Sequence, residues 1–288
     1  MKFERDVERQ KNLFKSTKLA QLESAVIEKR RGWLQSGNPI PTGIRISPRQ
    51  AYESFFLDYL QIPLQQVPVI EENEYEIRWR SANPCPTLEA CRQLGLDTRK
   101  ICRGVYEKST QTYLSAIDPE LRFFRNYSAI RPYAPYCEEG IRRIDLAALM
   151  KIAIAEAKFS RSEGNKGYGA LIEFDGRIIA QTHDTATTAG DPSLHAELKA
   201  IREACRKTGA TDLTGAVLVS SCEPCPMCTG LAVWANVTTL VYGASIAETA
   251  QLGKARIHIP AGELIAKSPA NIEVIGGILR EECLQLYR

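Results

Sequence analysis

Gly215-Ala-Val-Leu-Val-Ser-Ser-Cys-Glu-Pro-Cys-Pro-Met-Cys228 is a short apolar run ending in two cysteines that are separated by two residues. Gly215 to Ser220 is too short and too rich in β-branched residues for a helix, and predicts a buried strand. Thr229 to Ala235 continues as an apolar helix. Pro224 and Pro226 suit its entry or first turn, where a missing N–H costs little. Upstream, Asp191-Pro-Ser-Leu-His-Ala-Glu197 has the form of a helix start. Ser193 or Asp191 would cap it, and apolar Leu198, Ile201 and Ala204 follow at helical spacing. His195 and Glu197 are therefore expected in the first turn of one helix, and Cys225 and Cys228 at the start of another.

Within these segments, His195-Ala196-Glu197 and Pro224-Cys-Pro-Met-Cys228 supply one imidazole, two thiols and one spare carboxylate. A structural zinc takes four protein ligands, whereas a catalytic zinc keeps three and leaves the fourth position for water. His195, Cys225 and Cys228 make three ligands for Zn2+, and Glu197 remains as an acid/base. At helix N-termini the dipole favours thiolates over thiols. Zinc lowers the pKa of its water from about 15.7 to about 7, and attack of the resulting Zn-hydroxide on an amino-bearing ring carbon, with Glu197 as proton shuttle, releases ammonia. A redox pair or half of a zinc ribbon are the other readings of Cys225-x-x-Cys228. A second Cys-x-x-Cys or a thioredoxin-like helix would favour them, and the sequence has neither. Cys222 as a fourth ligand would close the site and leave Glu197 without a task.

The pattern His-x-Glu followed by Pro-Cys-x-x-Cys resembles the signature of zinc-dependent nucleobase deaminases. From roughly Ile144 to Arg288 the chain is similar to the cytidine/deoxycytidylate deaminase superfamily, in the branch of bacterial guanine deaminases and tRNA adenosine deaminases. Gly169 to Ala180 resembles that branch's first hairpin, with Asp175-Gly176 as a type I′ turn. Ile272 to Cys283 resembles its last strand and helix. The resemblance implies an α/β fold, a three-layer αβα sandwich on a mixed sheet, and usually a homodimer with the Cys228–Ala235 helix toward the partner. It also implies substrate contacts near Tyr168, Gly169, Ala170 and Asp184. Two departures bear on substrate. Asp184 stands where the family usually has Asn, so an ionised side chain there only accepts hydrogen bonds. Gly167-Tyr168 replaces the usual Pro-Phe, and Tyr168 either stacks on a base or packs.

The length allows two domains of ordinary size: an accessory domain over residues 1–140 and the deaminase-like domain over 141–288. The first is expected to be a smaller α+β unit. Hydrophobic residues make up 44% and charged residues 25% of the chain, enough to bury real cores. A formal net charge of +3 is too near neutral to announce a nucleic-acid binder. No stretch approaches the roughly twenty apolar residues of a membrane span. The amino terminus lacks a signal-like apolar segment, and an odd count of nine cysteines suits a reducing compartment, so the cytoplasm is expected.

In the first half, Phe3 to Trp33 reads as one helix with a solvated basic face that includes Lys11, Lys15, Lys18, Lys29, Arg30 and Arg31. Gly37 to Gly43 is a turn-rich linker. Ser47-Pro48 starts a helix whose Tyr52, Phe55, Phe56 and Tyr59 form a core stripe. Glu74 to Trp79 reads as a strand. Cys85, Cys91, Cys102 and Cys137 are irregularly spaced, which favours buried thiols over a second metal. Ligand sensing, shaping of the substrate mouth and support of assembly are the roles open to this half.

A small-molecule amino-heterocycle, such as a guanine- or cytosine-type base or nucleoside, is the expected substrate. Adenosine in tRNA, converted to inosine, is the alternative. An RNA enzyme needs a basic rim for the flanking phosphates. Lys254, Arg256 and Lys267 are offset there by Glu248, Glu263 and Glu273.

Overall fold

The computed structural model describes residues 2–36, 45–270 and 272–288. The chain divides into two compact units of equal length, Met1–Ile144 and Asp145–Arg288. The turn-rich stretch Gly37–Gly43 lies outside the described residues.

The first unit opens with α1 (Lys2–Ser16) and α2 (Leu19–Gln35). The single helix expected there is broken at Lys18, whose backbone is extended (φ −64°, ψ 147°). The Gln21 side chain turns back to accept from the Lys18 N–H, a local alternative to continuing the helix. The basic face is not uniformly solvated either. Arg30 is only 5% exposed, because α2 turns it toward the unit's interior. Ser47 caps α3 (Pro48–Tyr52), accepting from the Gln50 N–H, and the helix continues as a π-helical stretch, Glu53–Tyr59. Its aromatic stripe is core: Tyr52 and Phe56 lie 5.0 and 4.8 Å from the Trp79 ring.

β1 (Val69–Glu72) and β2 (Glu76–Ser81) precede α4 (Pro86–Leu94), α5 (Thr98–Ile101) and α6 (Lys108–Ile117). β3 (Leu121–Arg125) and β4 (Cys137–Arg143) complete an antiparallel sheet in the order β1-β2-β4-β3.

The second unit begins with α7 (Leu146–Ser162), capped by Asp145, which accepts from the Ala148 N–H at 2.8 Å. The hairpin β5 (Gly169–Phe174) and β6 (Arg177–His183) turns through Asp175 and Gly176. Both have positive φ, 50° and 78°, as a type I′ turn requires. There follow α8 (Ala186–Ala189), α9 (Ala196–Thr208), β7 (Val217–Cys222), α10 (Pro226–Trp234), β8 (Thr239–Ala244), α11 (Ile246–Gln251), α12 (Ala261–Ala266), β9 (Glu273–Gly276) and α13 (Arg280–Gln285). The sheet order is β6-β5-β7-β8-β9. β5 runs antiparallel to β6 and β7, while β7, β8 and β9 are parallel.

Strand side chains alternate between faces, and both faces are covered. Ala170, Ile172, Leu218 and Leu240 belong to one core with Ala200 and Ile201 of α9 and Ala232 of α10. The intervening positions face the other way, toward α7 and α13. A side chain at Gly169 would meet the Ala153 carbonyl oxygen at 2.1 Å, and one at Gly243 would meet Cys283 Sγ at the same distance. The result is a three-layer αβα sandwich on a mixed sheet.

The close approach of β5 to α7 depends on the missing Cβ of Gly169, since the obstacle is helix backbone that cannot swing aside. Gly169→Ala is expected to cost about 1–3 kcal/mol, read as a lower denaturation midpoint. An unchanged midpoint would mean that α7 can retreat freely.

Candidate active site

α9 and α10 start beside each other at the carboxyl end of β7, and each brings reactive side chains with its first turn. His195 is itself the N-cap residue of α9, with extended backbone (φ −69°, ψ 151°) and no side-chain cap. The capping expected of Ser193 or Asp191 is therefore not made. Asp191 instead accepts from the Ser193 N–H and hydroxyl, at 2.8 and 2.7 Å, in a turn that ends just before the helix. This leaves the imidazole free to point at the neighbouring helix end. Cys225 is the N-cap of α10, with Pro226 in the first turn.

The side chains of His195, Cys225 and Cys228 form a triangle. Cys225 Sγ lies 3.7 Å and Cys228 Sγ 3.6 Å from His195 Nδ1, and the two sulfurs are 3.6 Å apart. Zn–S bonds of about 2.3 Å and Zn–N bonds of about 2.0–2.1 Å put tetrahedral ligands about 3.5–3.8 Å apart. The three donors thus fit one face of a zinc tetrahedron. Among the described residues this is the only group of three His, Cys, Asp or Glu side chains close enough to hold a metal. Cys222 is not part of it. Its thiol lies 3.8 Å from the Thr249 hydroxyl and burial pushes it up to about 12. Nor do the cysteines of the first unit form such a group.

Charge agrees with the geometry. Cys225 is drawn down to about 4, first by its contact with Cys228 and then by His195, whereas Cys228 is pushed far up by that same contact and by burial. Two adjacent sulfurs cannot both be anionic without a cation between them. A divalent ion is the group that lets both ionise.

Glu197 is the second residue of α9, 5% exposed. Its Oε1 accepts from the Ser220 hydroxyl at 3.2 Å, and its Oε2 lies 3.6 Å from Cys228 Sγ. Burial raises its carboxyl above the ordinary range. Asp184, just after β6, is fully buried. Its backbone is pinned at both ends: its N–H donates to the Tyr168 carbonyl, and its carbonyl accepts from the Ser160 hydroxyl. Both of its carboxyl oxygens lack a hydrogen-bond partner among the described residues. The Asp184 carboxylate is near enough to contribute to the raised pKa of His195, for which the contact with Cys225 is the largest cause.

Tyr168 packs on Tyr287, with ring centroids 5.3 Å apart, and the Arg256 guanidinium lies 5.0 Å over its ring. Gly169 donates its N–H to the Ser221 hydroxyl, which also contacts the Tyr287 hydroxyl at 3.0 Å. Ala170 is buried in β5, opposite Ser220.

Sequence reasoning missed several positioning residues. Glu223, buried between β7 and Cys225, accepts from the Ile246 and Ala261 N–H groups at 2.8 and 2.9 Å and so fixes the loop that carries Cys225. Its only sequence signal was an acidic residue wedged into an apolar, proline-rich turn. In the sequence Arg256 is a candidate for a basic rim, offset by nearby glutamates. It instead donates inward to Thr249 at 2.8 Å.

Glu197 thus lies buried beside three donors that could hold a metal, on a three-layer αβα sandwich. Residues 144–244 match the family model described as cytidine and deoxycytidylate deaminase zinc-binding region. Guanine deaminase of Bacillus subtilis is 45% identical over 86 residues, 30% of this chain but only 55% of that protein's length. The tRNA-specific adenosine deaminase of the same organism is 37% identical over 136 residues, 46% of this chain and 81% of that protein. Among solved structures, guanine deaminase from Nitrosomonas europaea is 25% identical over 49% of this chain and 82% of its own, with a TM-score of 0.44. The chain belongs to the cytidine and deoxycytidylate deaminase family of zinc-binding proteins.

Purified protein is expected to carry one zinc ion per chain. Cys228→Ala, which removes one corner of the triangle, should lower retained zinc to near zero after dialysis against a weak chelator. Full metal content in that variant would remove Cys228 from the ligand set.

Proposed function

We propose that this chain is a zinc-dependent hydrolase that releases ammonia from an amino-bearing nucleobase, nucleoside or related heterocycle. The observation that carries the reading is the buried Glu197 carboxyl beside His195, Cys225 and Cys228: three metal donors and a fourth acidic group that is not needed as a ligand. His195, Cys225 and Cys228 would hold Zn2+, which when bound supplies a Lewis acid and a water acidic enough to lose its proton near neutral pH. Glu197 would accept that proton at a carboxylate oxygen and deliver it to the ring nitrogen beside the reacting carbon, then take the second proton of the added water from the new hydroxyl and pass it to the leaving amine. The water oxygen becomes the product carbonyl, the C–N bond breaks, and the nitrogen departs as ammonia. Ser220 holds Oε1, which leaves Oε2 on the side of the metal donors.

Asp184 supports a substrate that presents N–H groups. A buried carboxyl with two unpartnered oxygens is costly unless donors arrive with the ligand. Guanine-type heterocycles carry such donors on both ring and exocyclic nitrogens. Tyr168, Gly169 and Ala170 are proposed to line the same substrate region. The inward set of Arg256 and the pairing of Lys267 with Glu263 at 2.6 Å leave little of the basic rim that an RNA substrate needs, which favours a small molecule. The second reading, inosine formation in tRNA, is favoured by the 81% coverage of the tRNA-specific relative.

A homodimer is proposed through α10, on which Met227 and Trp234 are 42% and 78% exposed. A cytoplasmic setting suits nine cysteines that are all free thiols. Among the described residues no helix is long and apolar enough to cross a membrane.

Ammonia release from free bases, nucleosides and amino-triazines, run beside an inosine assay on tRNA, separates the two readings. Activity on neither class would sink both. Glu197→Ala should keep its zinc and lose about 10²–10⁴-fold in turnover, and unchanged turnover would remove Glu197 from the mechanism. Asp184→Asn turns an acceptor pair into one donor and one acceptor, so the order of preferred substrates should change. An identical order would make Asp184 a bystander.

A further inference from the structure

The first unit contains a cavity of about 320 Å³, within the lower range of small-molecule sites, about 300–1,000 Å³. Its lining is divided. Phe55, Phe56 and Phe123 contribute an apolar wall, while Arg30, Arg125 and Arg131 present guanidinium groups. Glu139 is the one carboxylate among the lining residues, and it is already engaged. It accepts from Trp79 Nε1 at 3.1 Å, from the Ser81 hydroxyl at 2.9 Å and from Arg125 Nε at 2.8 Å.

Glu139 is thus taken up by Arg125, through both Nε and Nη2, and the lining offers no further carboxylate for Arg30 and Arg131. Arg30 is 5% exposed, lies 4.8 Å over the Phe55 ring, and donates to the neutral Ser109 and Thr110 hydroxyls at 2.7 and 2.9 Å. Arg131 donates to the Asn83 carbonyl at 2.8 Å. Arg30 Nε, Arg125 Nη1 and Arg131 Nε are all buried without a hydrogen-bond partner among the described residues. The Arg125 side chain is itself only 9% exposed. Burial pulls the Arg30 guanidinium down to about 10, as expected of a cation lacking a counter-charge. The N-terminus of α4 opens on the same space, with Pro84, Cys85 and Thr87 in the lining, and its dipole adds positive potential. The Asn83-Pro-Cys-Pro-Thr87 motif, which plays no part in the deaminase site, thus has a place.

We propose that this cavity binds a small organic anion, with a carboxylate or phosphate head held by Arg30, Arg125 and Arg131 and a flat apolar body against Phe55, Phe56 and Phe123. Guanidinium groups recognise both heads through paired N–H donors. The aromatic wall selects against a purely inorganic ion. This reading is independent of the deaminase site and stands or falls apart from it.

The test is calorimetric titration of the full chain with benzoate, phenyl phosphate and inorganic phosphate, with benzamide as the neutral control. Saturable binding of benzoate or phenyl phosphate, stronger than that of inorganic phosphate and absent for benzamide, is expected; which of the two binds more tightly identifies the head group. Arg30→Gln and Arg131→Gln, each checked for an unchanged circular dichroism spectrum, should weaken it by about ten- to a hundredfold. A readout without mutation uses Cys85 and Cys137, which line the cavity. The bound anion should slow their alkylation by iodoacetamide and leave Cys205 of the other unit unaffected. No saturable heat up to millimolar concentrations, or affinity unchanged in both variants, overturns the proposal. So would iron and sulfide retained on anaerobic purification and lost in Cys85→Ser, which would assign the cavity's thiols to a cluster.

Discussion

Two helices of the second unit must begin within a few ångströms of each other, and that constraint organises the unit around them. The sulfurs and the imidazole nitrogen are 3.6–3.7 Å apart, although they come from segments separated by a strand and most of a helix. β7 sets the spacing. It is hydrogen-bonded to β5 on one side and β8 on the other, so its carboxyl end cannot drift, and Glu223 ties the following loop to the first turns of α11 and α12 through the Ile246 and Ala261 N–H groups. α9 is held to the same sheet by its apolar face. A shift of one residue in either helix start would carry a ligand away from the triangle.

The polar groups around that triangle are arranged at a cost that makes sense only with something bound. Glu197 and Asp184 are both buried, and Asp184 has no donor to either oxygen among the described residues. Removing a carboxylate from water without compensation costs several kcal/mol. The two buried carboxyls and the pair of mutually constrained thiols are what support the proposed cation and the proposed ligand with N–H groups. The same logic, with the sign reversed, applies to the cavity of the first unit, where three guanidinium groups have spare donors and Glu139 is already saturated.

Much of the second unit was legible in the sequence, because its signals are local. The Asp175-Gly176 turn, the apolar run before Cys222 and the proline-flanked cysteines each specify their own geometry within a few residues. The first unit was less legible. Its aromatic stripe from Tyr52 to Tyr59 marked a core correctly, but the break at Lys18 is accompanied by one local contact, Gln21 accepting from the Lys18 N–H. Composition and periodicity are blind to such a contact.

By itself the sequence determined the chemistry available: an imidazole and two thiols at His195, Cys225 and Cys228, able by residue type and spacing to donate to a metal, a further carboxylate at Glu197, and alternating strands and helices that require a layered sheet. Only the tertiary structure decided which charges lose their water. Arg30 reads as a solvated basic residue in the sequence and Arg256 as a candidate for a basic rim, yet α2 turns the first into a cavity and Thr249 draws the second inward. Asp184 reads as a substitution at a hairpin end, yet the packing buries it completely. Charge and hydrogen-bonding capacity belong to the residue, but burial and missing partners belong to the fold, since they depend on chain segments far apart in sequence.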